Sequence, residues 1–180
     1  MKKQLIIATL ALGAIVFGTN NAQAQNKTAT TAVNIILNDV ISIDAGSVAI
    51  GGAVDFNYVT AEDYNTSTTV IVPTSLKVTS TKNFDVKVKA EGANFTNGSN
   101  VIPVNVLTIK AATGGTMAGT QNTIVLSTTD QVLIGNAPLG SALTLDLDYT
   151  IPAAKSSSSD ILGKPAGTYT QKVTYTATAL

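Results

Sequence analysis

The side chains that most often do chemistry are missing from this chain. Its 180 residues contain no histidine and no cysteine, which leaves nothing from which to build a histidine–cysteine zinc site, a serine–histidine triad or a cysteine nucleophile. The usual near-neutral general base is absent with them. Carboxylates remain, and Glu62, Asp63, Glu91, Asp146 and Asp148 are the candidates for the acid–base pair that glycoside hydrolysis uses. Asp146 and Asp148 alternate with Leu145 and Leu147, a spacing that turns them away from a core and predicts a solvated strand face. Glu62-Asp63 predicts a loop cap or a solvent charge. No Asp-x-Asp-x-Asp-Gly run offers a calcium loop. The Gly114–Gly119 stretch lacks the Gly-Lys-Ser/Thr ending of a phosphate loop and is expected to be a flexible connection. No catalytic residue, metal ligand or cofactor site is therefore assigned, and a non-enzymatic protein is expected. There are five tyrosines and no tryptophan. Tyr58, Tyr149, Tyr169 and Tyr175 fall in alternating runs and are expected to pack. Tyr64, in the Ala61–Thr66 loop, is the one expected to be exposed and open to a ligand. Asn-x-Ser/Thr triplets beginning at Asn26, Asn65, Asn94 and Asn97 follow from a Thr- and Asn-rich composition and carry no assignment.

Positioning falls to strands. The chain after residue 24 is rich in Thr, Val, Ser and Asn and broken by Gly and Pro, a strand-and-turn composition. Apolar residues recur at period two: Val33, Ile35 and Leu37, then Ile41 and Ile43, with Asp39 between them marking a bulge or sheet switch. The pattern continues with Val54, Phe56 and Tyr58; Leu76 and Val78; Phe84, Val86 and Val88; Val104 and Val106; Ile124 and Leu126; Val132 and Ile134. Leu143 to Ile151 is the cleanest run, and Tyr169, Val173, Tyr175 and Ala177 form the last. Gly51-Gly52, Asn97-Gly98, Gly114-Gly115, Pro138–Gly140 and Pro165–Gly167 punctuate these runs as turns. Eight to ten strands without a helical stripe predict an all-β protein, a mostly antiparallel β-sandwich in a single domain over residues 25–180. The serine run between Lys155 and Asp160 is expected to be a surface loop.

Composition narrows the partners. Residues are 44% hydrophobic and only 12% charged. Every base is a lysine, and beyond Lys2 and Lys3 nine lysines face eleven acids, a balance of −2. No basic patch exists to neutralise a phosphate backbone, so nucleic acid is not an expected partner. Lys2-Lys3, the apolar run Leu5–Phe17 and Ala22-Gln23-Ala24 have the layout of an export signal cleaved after Ala24. Residues 1–24 are accordingly assigned to a signal peptide, and no transmembrane segment is expected after its removal. The mature protein is expected in the periplasm, at the cell surface or outside the cell.

The ending Ala166-Gly167-Thr168-Tyr169-Thr170-Gln171-Lys172-Val173-Thr174-Tyr175-Thr176 resembles the closing strand of secreted fimbrial subunits, the spore coat U and chaperone–usher pilin families. Gly167, Tyr169, Val173 and Tyr175 carry that likeness, although the disulfide and the near-terminal tyrosine of those families are absent. The resemblance implies an immunoglobulin-like sandwich and assembly by strand donation, with Val33, Ile35 and Leu37 as the candidate donated side chains. These three residues are equally readable as the first strand of the chain's own sandwich. A second resemblance runs from Asn83-Phe84-Asp85-Val86-Lys87-Val88-Lys89-Ala90 through Gly98 and Ile102-Pro103 to Tyr175-Thr176-Ala177, and is to the WxL domain, which implies binding of cell-wall peptidoglycan. Phe84-Asp85-Val86 and Tyr175-Thr176-Ala177 stand where that family has its Trp-x-Leu motifs, without the tryptophans. The expected partners are thus other surface subunits, including further copies of this chain, or a cell-wall glycan.

Overall fold

A computed structural model describes residues 27–180; the expected leader at residues 1–24 lies outside them. The chain divides into two units, one ending at Ile36 and the other spanning Leu37–Leu180. In the first, residues 27–36 have no regular secondary structure.

The second unit is built on β-branched and Thr-rich segments whose alternate side chains enter one core. Its strands are β1 (Ile41–Ile43), β2 (Thr68–Ser80), β3 (Phe84–Ala90), β4 (Asn94–Asn97), β5 (Asn100–Pro103), β6 (Thr108–Ala111), β7 (Thr120–Gln121), β8 (Ile124–Val125), β9 (Gln131–Ala137), β10 (Gly140–Ile151) and β11 (Val173–Ala179). One sheet has the order β1-β2-β10-β6-β8 and another β11-β3-β9-β7, while β4 and β5 form a separate hairpin. Every paired strand runs antiparallel. Leu76, Val78, Leu145, Leu147 and Ile109 from the first sheet meet Phe84, Val86, Val88, Leu133 and Ile134 from the second in a single buried cluster. The result is an all-β, sandwich-like body. A hydroxyl relay ties the two sheets together: Ser75 meets the Tyr149 hydroxyl at 3.3 Å, and Tyr149 meets Tyr175 at 2.6 Å. Burial pushes both phenols up from their ordinary value, Tyr175 well above it, so the relay stays neutral.

Several expected elements differ, each for a physical reason. The run from Val33 to Ile43 is not one strand: only Ile41–Ile43 pairs, and Val33, Ile35 and Leu37 are coil with more than 80% of their surface exposed. Val54, Phe56 and Tyr58 alternate as expected, half-buried between exposed neighbours, but residues 53–58 form no strand. Val104–Val106 is a 3-10 turn after Pro103 that buries both valines; period two over so short a stretch did not separate it from a strand. In β9 both Leu133 and Ile134 are buried, because register shifts against β3 break the alternation there. Tyr169 precedes β11 and is not part of it. The serine run is more than a surface loop: Ala153–Ser156 makes one helical turn, α1, with Ser156 fully buried and Ile161 in the core.

Asp146 and Asp148 do face away from the core, but they are not freely solvated. Their strand, β10, is central in its sheet, and both side chains are half-buried. Where β10 passes from Leu145 to Leu147, β2 runs from Leu76 to Val72, a bulge containing Pro73 and Thr74. Thr74 sits at φ 49°, and its N–H donates to the Asp146 carboxylate at 2.7 Å. Lys110 lies 3.6 Å from Asp148.

Candidate functional site

A concavity of about 410 Å³ opens at the end of the body where β10 finishes, beside the segment that leads into β11. One wall is the extended segment carrying Val54, Phe56 and Tyr58; the other runs from Lys164 to Tyr169. Between them the floor is apolar: Phe95 of β4, Ile102 of β5, Val106, Leu107, Ile151 at the end of β10, and Ile161.

Local sequence sets both walls. After Gly51-Gly52 the chain runs extended, and the period-two apolar residues seat themselves on the core. The wall ends at a tight turn closed by Asp63, whose carboxylate accepts from the N–H of Thr60 at 2.6 Å, the N–H of Val59 at 2.8 Å and the Thr60 hydroxyl at 3.0 Å. These donors, the Thr60 N–H foremost, hold the Asp63 carboxyl below its ordinary value. The Tyr58 hydroxyl reaches Ser156 at 2.8 Å, and its ring meets that of Tyr64 with centroids 4.9 Å apart. Burial raises the Tyr58 phenol, with the Ser156 hydrogen bond opposing it. On the opposite wall Pro165 and Gly167 keep the chain out of regular structure. Gly167 has φ 149°, and a Cβ there would collide with the Asn97 side-chain amide, so only glycine fits. The Tyr169 hydroxyl donates back to the Pro165 carbonyl at 2.9 Å. Beyond it, Thr170 exchanges two backbone bonds with Thr96, each 3.0 Å.

The main chain of these walls distinguishes the groove from the rest of the body. Among the described residues, no backbone N–H or C=O of residues 53–58 is bonded to another protein group, and the same holds for residues 166–169. Two stretches whose backbone groups have no partner among the described residues, the second bent at Ala166-Gly167, thus flank the apolar floor. Asn57, Thr168 and the tyrosines Tyr58, Tyr64 and Tyr169 also line the groove, and Asp55 and Lys164 are its charged groups. One carboxylate does not make the pair that glycoside hydrolysis requires, and none of Glu62, Asp63, Glu91, Asp146 or Asp148 lines the groove. Among the described residues no three His, Cys, Asp or Glu side chains are grouped to hold a metal ion.

The sequence-chosen residues are distributed unevenly around this site. Tyr64, Gly167 and Tyr169 line the groove, whereas Val173 and Tyr175 lie on β11, Tyr175 in the relay between the sheets. Tyr64 is half-buried against Tyr58 and not freely exposed as expected. Val33, Ile35 and Leu37 are 81%, 83% and 86% exposed. Sequence reasoning missed Phe95, Ile102 and Ile161 as floor residues. Their only signal is isolated apolar character beside turns, which period-two counting passes over.

No family model matches the chain, and no curated protein matches it. Among the described residues, no helix is long and apolar enough to cross a membrane.

Proposed function

We propose that this protein is an exported, non-enzymatic structural subunit of a bacterial surface, an immunoglobulin-like sandwich that joins its neighbours by β-strand addition. One observation carries the reading. Val33, Ile35 and Leu37 alternate along an uncharged stretch, 28–38, lie outside every strand, and together with Ile36 leave large apolar side chains in water. Singly exposed apolar residues are ordinary, but a period-two set has the form of a strand without a sheet. Burying three such side chains contributes roughly 1.5–3 kcal/mol each. Ordering the backbone costs about 1–2 kcal/mol per residue. Side-chain burial alone does not cover a seven-residue segment, so the acceptor must also supply main-chain hydrogen bonds. Strand addition provides both. Register then follows, since a one-residue slip would turn Asn34, Ile36 and Asn38 inward instead.

The test is electron microscopy and sedimentation of the purified exported protein beside an Ile35→Asp variant. Ordered multimers that the variant fails to form support the reading; monomers in both samples contradict it.

The Tyr58–Tyr64 ring pair beside Asn57 and Thr168 favours a second reading, a cell-wall glycan module, since aromatic faces with nearby polar groups suit sugars. Co-sedimentation with insoluble peptidoglycan that is lost in Tyr64→Ala supports it, and unchanged co-sedimentation in that variant contradicts it.

A further inference from the structure

The groove between residues 53–58 and 166–169 has a chemistry of its own, independent of how subunits join. We infer that it takes a small anionic amphiphile, a single alkyl chain laid on the floor with its carboxylate at Lys164. The volume, about 410 Å³, falls within the roughly 300–1,000 Å³ of small-molecule sites and suits one chain, not the two of a membrane lipid.

The floor selects the chain. Phe95 of β4 and Ile102 of β5 are only half-buried, so they keep apolar surface open to the groove, and Ile151 and Ile161 complete the floor. Sugar hydroxyls or peptide groups laid there would give up water and gain no side-chain partner. Methylenes give up no hydrogen bond, and each one that leaves water tightens binding about three- to four-fold.

One wall selects the head group. Lys164 is half-buried beside the apolar floor, and among the described residues its ammonium forms no ion pair. Two residues on, the chain bends at Ala166-Gly167, and the N–H groups of residues 166–169 have no partner among the described residues. A cation and a bent run of free N–H donors on the same wall match a carboxylate, which accepts from both. Asp55, the acid of the facing wall, is exposed between the inward Val54 and Phe56, so water and salt screen it from that head group. The pairing therefore favours an anion over a cation, although the groove carries one charge of each sign.

The test is calorimetric titration of a chain of residues 25–180 with hexanoate, octanoate and decanoate, beside decanol and decyltrimethylammonium. Decanoate should bind one to one, and each loss of two methylenes should weaken binding roughly ten-fold. Lys164→Gln should weaken decanoate roughly ten-fold and leave decanol unchanged, while Lys164→Arg keeps most of the affinity. The absence of cysteine locates the ligand independently of these variants. Decanoate should slow alkylation of an exposed Thr168→Cys on the wall and not of an exposed Val125→Cys on β8. No saturable binding, or uptake of many molecules per chain, overturns the site. Decyltrimethylammonium or decanol binding as tightly as decanoate overturns the carboxylate, as does a folded Lys164→Gln chain of unchanged affinity. Should Lys164→Gln not fold, the chain-length series and the two head-group controls decide the same point. Saturable binding that leaves Thr168→Cys as reactive as before overturns the groove as its place.

Discussion

Asp146 shows how a single side chain can be placed correctly and still be misjudged. Alternation with Leu145 and Leu147 gave its direction, and the structure agrees that Leu145 and Leu147 are buried. Its partner was not readable, because the bulge at Pro73 and Thr74 lies 72 residues away in sequence. Asp146→Ala leaves the Thr74 N–H without its acceptor at a residue already in left-handed conformation, and should cost about 1–3 kcal/mol in urea unfolding. Asp146→Asn keeps an acceptor oxygen and should lose less. A change under ~0.5 kcal/mol for Asp146→Ala would return it to the solvated face that alternation suggests. Leu145→Ala, by contrast, should cost ~2–5 kcal/mol. Two other carboxylates set the acid response. Asp44 is held below its ordinary value of 3.8 mainly by the Ser42 hydroxyl, then by that of Thr79 at 2.6 Å and the charge of Lys77; Asp63 is lowered by the turn it closes. A carboxyl whose folded value lies below its unfolded value stabilises fully above the unfolded value and loses that contribution as pH falls through the folded one. The melting temperature should therefore drop below about pH 4, and less steeply in an Asp44→Asn, Asp63→Asn double variant. Equal slopes in both proteins would show that these contacts do not persist in solution.

At the scale of elements, segments with long partners were legible and those that leave the sheets were not. β3 and the Leu143–Ile151 part of β10 could be read because seven to nine residues of alternation match a face that one core buries, whereas β2 showed only Leu76 and Val78, its alternation being broken at the bulge. Period two was also right about which side chains of residues 53–58 turn inward. It carried no information on whether the backbone finds a neighbour, and here that distinction makes the groove. The same holds for Val33 to Leu37, where alternation is present and the strand is not. Gly167 was chosen for a likeness to a closing strand, and its place is a groove wall six residues before β11 begins. Gly167→Ala forces a Cβ against Asn97 at a left-handed φ and should cost more than ~1 kcal/mol. Much of that loss should return in a Gly167→Ala, Asn97→Gly double variant, as expected of side chains in contact. Simple addition of the two single effects would place the strain elsewhere.

For the whole molecule, composition excluded more than it assigned. The lack of histidine and cysteine removed the common catalytic and metal-binding arrangements, and the sparse charge directed attention to packing. The all-β body followed from periodicity; the groove did not, because its walls come from segments more than 100 residues apart. The central claim is that residues 27–38 hold subunits together and do not hold the sandwich together. Among residues 27–38 none belongs to a strand, and all are exposed. The most direct measurement is sedimentation and thermal unfolding of a chain beginning at Asp39, alone and with a synthetic Thr31–Asn38 peptide, beside a chain of residues 25–180. A truncated chain that melts within a few degrees of the longer chain, stays monomeric and binds the peptide one to one is the predicted result. A truncated chain that unfolds, or one that still forms multimers as readily as the longer chain, would contradict it.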